Sequence, residues 1–235
     1  NSRWLVDNVA VSVTGKSRGD DGQIPSIQDL AAVLLTTNNF RAAYDMNDKQ
    51  VLQEVCEPAF FDGALSMADL NVLPLPMFET EDSDTRTIDL AQGRAEFVVR
   101  DENRILQISL SRDENAAPNA PREYRVANVT IWEDRQEKQL AAVFTAHQSM
   151  QVYSQALNDR DLRMLDFLST RDFRQRVWSR LTPETIFDLP LNDIPAAMPV
   201  VENSVYRGQL TEITVNQGGK PITYVMRTID GEIKV

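Results

Sequence analysis

Apolar and polar positions in the first half of the chain predict two consecutive helices. Apolar residues recur at helical spacing across residues 27–44, directly after Ser26, whose side chain is suited to an N-cap. The stripe breaks at Asn47-Asp48, two residue types that tolerate the conformations found at helix ends. A shorter stripe over residues 51–56 predicts a second helix that ends near Pro58.

The second half of the chain repeats this plan. Residues 140–157 predict a long helix that breaks at Asn158-Asp159, and residues 162–168 predict a short second helix. The strings that recur are Leu30-Ala31-Ala32-Val33 with Leu140-Ala141-Ala142-Val143, Asn47-Asp48 with Asn158-Asp159, and Leu73-Pro74-Leu75 with Leu189-Pro190-Leu191. Their offsets are 110 (140 − 30), 111 and 116 residues. This period is typical of a duplicated domain, because solenoid repeats have about 20–50 residues.

Segments of alternating polarity after each helix pair predict antiparallel strands. The predicted strands are residues 94–99, 105–110 and 124–132 in the first half, and 206–215, 222–227 and 229–235 in the second. Gly218-Gly219 predicts a hairpin turn in the second half. Residues 79–84, which are acidic, and residues 113–122 are expected to form loops.

We therefore expect an α+β chain with two tandem domains, residues 24–134 and residues 135–235. Residues 1–23 are expected to be an extra strand and a linker. Residues 4–11 match the pattern of residues 124–131 in the predicted last strand of the first domain. Two interpretations stay open: this segment is the last strand of a preceding repeat, or it is an edge strand of the first domain.

Composition restricts the classes of partner and cofactor. The net charge of −11 argues against nucleic acid or an anionic membrane surface, because phosphate binding needs clustered Lys and Arg. With one cysteine and one histidine, the chain can form no internal disulfide and no Cys/His zinc site, and we predict no metal or cofactor. No apolar run approaches the roughly 20 residues of a membrane span. The chain starts at Asn1 without a signal-like segment, so we expect a processed product or a fragment, with the compartment open.

One motif resembles a known family. The string Tyr153-Ser154-Gln155-Ala156-Leu157-Asn158-Asp159-Arg160-Asp161-Leu162 resembles the Tyr-x-x-Ala-Leu-Asn-x-x-Asp motif that ends the first helix of NTF2-like (SnoaL-like) α+β cone proteins. Tyr44-Asp45-Met46-Asn47-Asp48 is a degenerate version, and residues 124–132 resemble the closing strand of that family. The resemblance covers nearly the whole chain as two copies. It implies helices packed into the concave face of a curved sheet, around a pocket that relatives use for ligands or catalysis or fill with side chains.

The resemblance directs attention to a possible oxyanion site. In isomerase-like members a tyrosine at the position of Tyr153 donates a hydrogen bond to a developing oxyanion, and a carboxylate on the first strand after the second helix acts as base. In the second copy the expected base position lies near Arg176, which is a cation, and in the first copy only Asp62 is close. The isomerase pair is therefore absent from both predicted domains.

The remaining candidates have ordinary structural interpretations. His147, the only histidine, lies on the core-facing stripe without a visible carboxylate partner, and its counterpart at offset 110 is Thr37. We expect it to be a core or pocket-wall residue, together with Tyr153, Trp178 and Tyr44. Cys56 is expected to be a buried structural thiol.

Two functions remain open at this point. The first is a non-catalytic tandem module that binds a small apolar ligand or another protein, with its two repeats packed as an internal pseudo-dimer. The second is a cyclase, dehydratase or isomerase with its pocket in the second repeat. An open pocket that His147 and Tyr153 share with a carboxylate would favour the enzyme. An interior filled by large apolar residues would remove it, the expected plug being Phe144, Phe167, Trp178 and Leu181.

Overall fold

A computed structural model describes residues 26–78, 85–91, 93–112, 123–133, 136–189, 199–207, 209–229 and 232–235. The described chain consists of two compact units that divide between Ala141 and Ala142. The expected boundary lay seven residues earlier, after residue 134. The difference arises because the residues that follow it still pair with the sheet of the first unit. The predicted N-terminal strand and linker, the loops 79–84 and 113–122, and the segment Pro190-Leu191 lie outside the described residues.

Each unit begins with a long helix, followed by short helices. The helices of the first unit are α1 (Ile27–Asp45), α2 (Lys49–Val55) and α3 (Pro58–Phe60), followed by a π-helix (Phe61–Leu65) and a 3-10 helix (Leu70–Val72). The second unit has α4 (Leu140–Asp159), whose first two residues precede the division, then α5 (Leu162–Leu168), α6 (Arg171–Arg176) and two 3-10 helices (Trp178–Arg180, Thr185–Asp188). Ser26 is the N-cap of α1, as predicted, and accepts a hydrogen bond from the Asp29 backbone N–H at 3.1 Å.

Antiparallel strands follow the helices in both units, so the predicted α+β class is confirmed. The first sheet is β1 (Thr85–Ala91), β2 (Arg94–Arg100), β3 (Arg104–Arg112), β4 (Tyr124–Glu133) and β5 (Gln136–Gln139), paired in chain order. The second is β6 (Val200–Arg207), β7 (Leu210–Gln217), β8 (Lys220–Ile229) and β9 (Glu232–Lys234), also in chain order. The single strand predicted over residues 206–215 was wrong, since two strands of a hairpin share that stretch. The turn at Gly218-Gly219 is confirmed, with φ of 59° and 85°.

The two units share one turn between the first and second helix. Asn47 and Arg160 both have left-handed backbones, with φ of 53° and 54°. The next residue is in each case an aspartate that caps the following helix, Asp48 in the first unit and Asp161 in the second. The backbone N–H of each aspartate bonds to an alanine carbonyl five residues earlier, at 2.8 and 3.0 Å. The equivalent residues are therefore 113 apart (161 − 48), not 110 or 111.

The offset of 113 holds from the start of the first helix to the start of the third. Ile27 and Leu140 both open their helices, and α2 and α5 match residue for residue. Between the second and third helices, Glu57 N–H donates to Val126 O at 2.8 Å, and Thr170 N–H donates to Val235 O at 2.7 Å. The strings that match at offset 110 thus lie three residues out of structural register, which is nearly one helical turn and keeps an apolar stripe on the same face.

The sheets align through the same contacts. Val126 and Val235 are equivalent, and one residue earlier Arg125 pairs with Ser111 just as Lys234 pairs with Arg227. The strand pairings that continue from Arg125–Ser111 and from Lys234–Arg227 give matching rows of inward-facing residues in the two sheets. The rows are Leu90–Ala95–Leu110 with Tyr206–Thr211–Met226, and Ile88–Phe97–Ile108 with Ser204–Ile213–Tyr224. Equivalent positions can therefore be named for both helices and strands.

Each unit buries the inner face of its sheet under its long helix. Phe40, Leu52 and Leu106 are among the fully buried side chains of the first unit. Met150, Leu165 and Ile213 fill the corresponding core of the second. This burial of apolar area is the main source of stability in both units.

Candidate functional site

The sole histidine lies in the interior of the second unit. His147 on α4 is 6% exposed, and its Nε2 lies 3.2 Å from Ser204 Oγ and 3.5 Å from Tyr206 Oη. Ser204 and Tyr206 lie two residues apart on β6 and therefore face the same side of the sheet. We call His147, Ser204 and Tyr206 the imidazole cluster.

A β-bulge determines which residues of β6 face the helix. Val201 pairs with Val215, and the register then shifts, so that Glu202 is skipped and Asn203 pairs with Thr214. The extra residue reverses the alternation of the strand, which turns Ser204 inward. Without it Asn203 and Val205 would face the core. Sequence reasoning missed Ser204 and Tyr206 because the period-two pattern carries no signal for a bulge.

The groups of the imidazole cluster are neutral near pH 7. Burial lowers the pKa of His147 to about 4, because desolvation penalises the charged imidazolium. Burial raises the pKa of Tyr206 to about 12, against the opposing effect of a hydrogen bond from Ser204. The other ring nitrogen of His147, Nδ1, is buried and has no hydrogen-bond partner in the described structure. An unpartnered buried nitrogen of this kind costs about 1–3 kcal/mol.

Tyr153 belongs to a different network. Its hydroxyl hydrogen-bonds with the side chains of Ser169 and Trp178, and Trp178 Nε1–H donates to Ser169 Oγ at 2.8 Å. Burial nevertheless raises the pKa of Tyr153, the hydrogen bonds acting in the opposite direction. The structure therefore brings Tyr153 together with Trp178, while His147 bonds to other partners.

A third polar group in this interior was also missed from sequence. Gln217 Nε2 donates to Ser154 Oγ at 2.9 Å, and Tyr224 Oη–H donates to Gln217 Oε1 at 3.1 Å. The rings of Tyr153 and Tyr224 meet edge to face, with centroids 6.4 Å apart. One signal was available: Gln217 continues the inward alternation of Ile213 and Val215, so a polar residue occupies a core position.

Tyr44 has a structural role in the first unit. Its hydroxyl donates to the backbone carbonyl of Leu73 at 2.7 Å, and burial followed by the charge of Asp45 raises its pKa. Its structural equivalent is Leu157, and the equivalent of Tyr153 is Phe40, so the proposed match of the two tyrosines was wrong. Tyr44 fastens the segment after the π-helix to α1.

The stretches expected to carry a catalytic carboxylate are helical. Asp62 lies in the π-helix and Arg176 ends α6, and both side chains are exposed. The expectation of a first strand at these positions was wrong, because each unit forms a short helix there. In both units the helical stretch begins directly after the residue whose backbone N–H donates to a valine carbonyl, Glu57 in the first unit and Thr170 in the second. In the described residues no carboxylate hydrogen-bonds to His147 or to Tyr153.

The residues expected to plug the interior are divided. Phe144 and Trp178 are buried, and Leu181 is half-buried against the core. Phe167 is 65% exposed, so its place in the plug was wrong. Cys56 is fully buried as expected, and burial raises the pKa of its thiol to about 12.

Several polar side chains in the interior of the second unit have apolar counterparts in the first. The equivalents of the imidazole cluster are Leu34 for His147, Ile88 for Ser204 and Leu90 for Tyr206. Leu34 is 41% exposed, whereas Ile88 and Leu90 are half-buried. The other pairs are Phe40 for Tyr153, Cys56 for Ser169, Leu65 for Trp178 and Ile108 for Tyr224. The predicted counterpart of His147, Thr37, is instead equivalent to Met150. Thr37 is buried and its Oγ1 has no partner in the described structure.

Comparison of the chain with protein-family models, curated proteins and solved structures finds no match. Within the described ranges no group of three or more His, Cys, Asp or Glu side chains is placed to hold a metal ion. None of the described helices combines the length and hydropathy needed to cross a bilayer.

Proposed function

We propose that the chain is a non-catalytic tandem NTF2-like module whose second unit binds a small molecule at the imidazole cluster. The observation that carries this proposal is the contrast between the two units. The same backbone positions hold Leu34, Ile88 and Leu90 in one unit and three hydrogen-bonding side chains in the other.

The cost of the imidazole cluster supports a ligand role. A buried imidazole with an unpartnered nitrogen destabilises a fold, whereas apolar side chains of similar size do not. The first unit folds on the same plan with apolar residues at these positions, and its Leu34 is 41% exposed, so the shared plan does not require a buried histidine there. We expect Nδ1 of His147, which is buried in the described structure, to bond to one hydrogen-bonding group of a ligand whose apolar remainder contacts the surrounding core residues.

The charge state of the cluster supports binding over catalysis. With a pKa near 4, His147 is a weak base at neutral pH, and no carboxylate of the described residues orients it. Burial likewise keeps Tyr206 protonated. A cyclase, dehydratase or isomerase would need a group that exchanges protons near neutral pH. The enzyme alternative predicts that a bound compound is chemically converted.

The order of elements supports the family part of the proposal. A long helix, a capped second helix and an antiparallel sheet recur in both units, as the resemblance to NTF2-like cones implies. Packing of the two repeats as an internal pseudo-dimer stays a prediction. A protein as the bound partner is the second form of the binding hypothesis.

The experiment uses the single histidine as a reporter. The full chain is titrated with cyclohexanone, 4-hydroxyacetophenone and 2-naphthol, which each join an apolar body to a hydrogen-bonding group, while the imidazole NMR signals and the Tm are recorded. We expect at least one compound to shift the His147 signals and raise the Tm by mass action. In His147→Leu, which copies the first unit, the Tm increase should disappear.

Tyr153→Phe provides the matched control, since it also copies the first unit but lies in the other network. It should keep the ligand response. If none of the three compounds shifts the His147 signals, or if His147→Leu binds as the natural chain does, the proposal fails. Chemical conversion of a bound compound would favour the enzyme instead.

A further inference from the structure

We propose that the second unit docks an acidic segment of a partner protein on a basic surface formed by α5, α6 and the 3-10 helix Trp178–Arg180. The name arginine surface is used below for the arginines that these elements carry, Arg163, Arg171, Arg174, Arg176 and Arg180. Arg174 and Arg176 lie two residues apart on α6 and therefore on different sides of that helix. Arg174 is half-buried and the other four are exposed. This surface is separate from the imidazole cluster and does not depend on the function proposed for it.

The charge of this region is reversed relative to the first unit. Residues 160–178 carry five arginines, which are Arg160 and all of the surface arginines except Arg180. With three aspartates, their net charge is +2. The equivalent residues 47–65 carry one lysine and four carboxylates, a net charge of −3. The equivalents of the first four surface arginines are Gln50, Pro58, Phe61 and Gly63. The first unit therefore forms its own short helices without these cations, in a chain whose overall charge is −11.

Contacts to Asp166 hold the three elements of the surface together. Arg174 Nε lies 3.9 Å from Asp166 Oδ2, and Ser179 Oγ donates to Asp166 Oδ1 at 3.4 Å. The ring of Phe173 meets that of Trp178 edge to face at 5.7 Å. The arginines are thus carried by short helices that pack on one another.

Most of the positive charge is available to a partner. Arg163, Arg171 and Arg180 form no ion pair with any of the residues described. Arg176 pairs with Asp172 at 3.2 Å, but both side chains are about 70% exposed, and such pairs contribute little to stability. Fold stability therefore does not explain this number of arginines.

Exposed apolar groups beside the arginines favour a peptide over a simple anion. Phe167 is an exposed residue of α5 that follows Arg163 and precedes α6 in the sequence. The Nζ atom of Lys234 lies 4.4 Å from the centroid of the Phe167 ring. Met164 on the same helix is also exposed. Arginine and aromatic residues are enriched in protein interfaces, whereas a lone phosphate makes no use of an aromatic ring. The expected occupant is an acidic segment that also carries apolar side chains.

Binding can be measured with a fluorescein-labelled 12-residue peptide of alternating Glu, Asp and Leu. Its anisotropy is followed on addition of the full chain at low and high salt. We expect binding that weakens as salt screens the charges. The variant Arg163→Gln/Arg171→Gln/Arg180→Gln should bind about tenfold more weakly, because three exposed charge contacts each contribute a few-fold. Phe167→Ala should also weaken it.

The variant Arg94→Gln/Arg100→Gln/Arg125→Gln is the matched control, since it removes three exposed positive charges from the first unit. It should bind the peptide within about twofold of the natural chain, because it leaves the arginine surface intact. Equal weakening in both triple variants, or equal binding of a peptide with Gln in place of Glu and Asp, would overturn the proposal. So would tighter binding of a single-stranded RNA of the same length. Circular dichroism verifies that each variant is folded.

Discussion

Protonation of His147 should selectively weaken the second unit. The imidazole is buried, its Nε2 contacts Ser204 and Tyr206, and no carboxylate of the described structure compensates a positive charge there. At low pH, therefore, either the protonated imidazole of His147 stays in the core without a compensating charge or the second unit unfolds. The perturbation that tests this is a decrease in pH, compared between the natural chain and His147→Gln.

The magnitude follows from the two pKa values. An unfolded histidine has a pKa of about 6.5, and burial lowers that of His147 to about 4. Because the folded pKa is the lower one, the stabilising contribution is fully present above pH 6.5 and is lost as the pH falls toward 4. The difference between the folded and the unfolded pKa corresponds to about 3 kcal/mol of unfolding free energy. About 2 kcal/mol of this is lost between about pH 7 and pH 5.

The assay is urea unfolding at several pH values, with the imidazole NMR signal as an independent titration. The chain has one histidine, so the signal needs no assignment and His147→Gln contains none. The natural chain should lose about 2 kcal/mol more unfolding free energy than His147→Gln between about pH 7 and pH 5. Equal losses in the two proteins, or an imidazole that titrates near pH 6.5, would refute the reasoning.

Further predictions concern the first unit. Tyr44→Phe leaves the carbonyl of Leu73 without its donor and should lower the unfolding free energy by about 1–2 kcal/mol in urea titrations. Lys49→Met removes two hydrogen bonds to carbonyls at the end of the π-helix, and we expect a similar loss in thermal unfolding. Asn47→Val should cost about 1–2 kcal/mol while Asn47→Gly should not, because only the first opposes a left-handed backbone. The Cys56 thiol should react with a thiol reagent only after denaturation, since it is buried with a raised pKa.

Helix positions could be predicted from the sequence because apolar stripes determine which face is buried. The register of the repeat could not. Over residues 27–65 and their equivalents, only four of 39 positions are identical. Those positions are Ala43, Asp48, Leu52 and Phe60 with their partners 113 residues later. A stripe shifted by three residues still faces the core, so chance matches at offset 110 were as plausible as the true ones.

The sheet and the site show a second limit of local patterns. The strand β5 is entirely polar and forms only by pairing with β4, so no alternation marks it. The candidates His147 and Tyr153 were expected on the core-facing stripe, and both are buried. Their partners depend on contacts between distant elements and, for Ser204, on one bulged residue.

The turn at Asn47 and Arg160 suggests how further copies of this unit could be recognised. Three of the four identical positions form or flank that turn: an alanine carbonyl, a capping aspartate and the first core leucine of the next helix. Together with the later phenylalanine they give the spacing Ala-x4-Asp-x3-Leu-x7-Phe. Overall identity in this register is at about the level expected by chance, whereas the turn itself is formed in both units by the same backbone hydrogen bond and the same aspartate cap. We therefore expect further copies of this unit to be recognised by this turn rather than by overall sequence similarity.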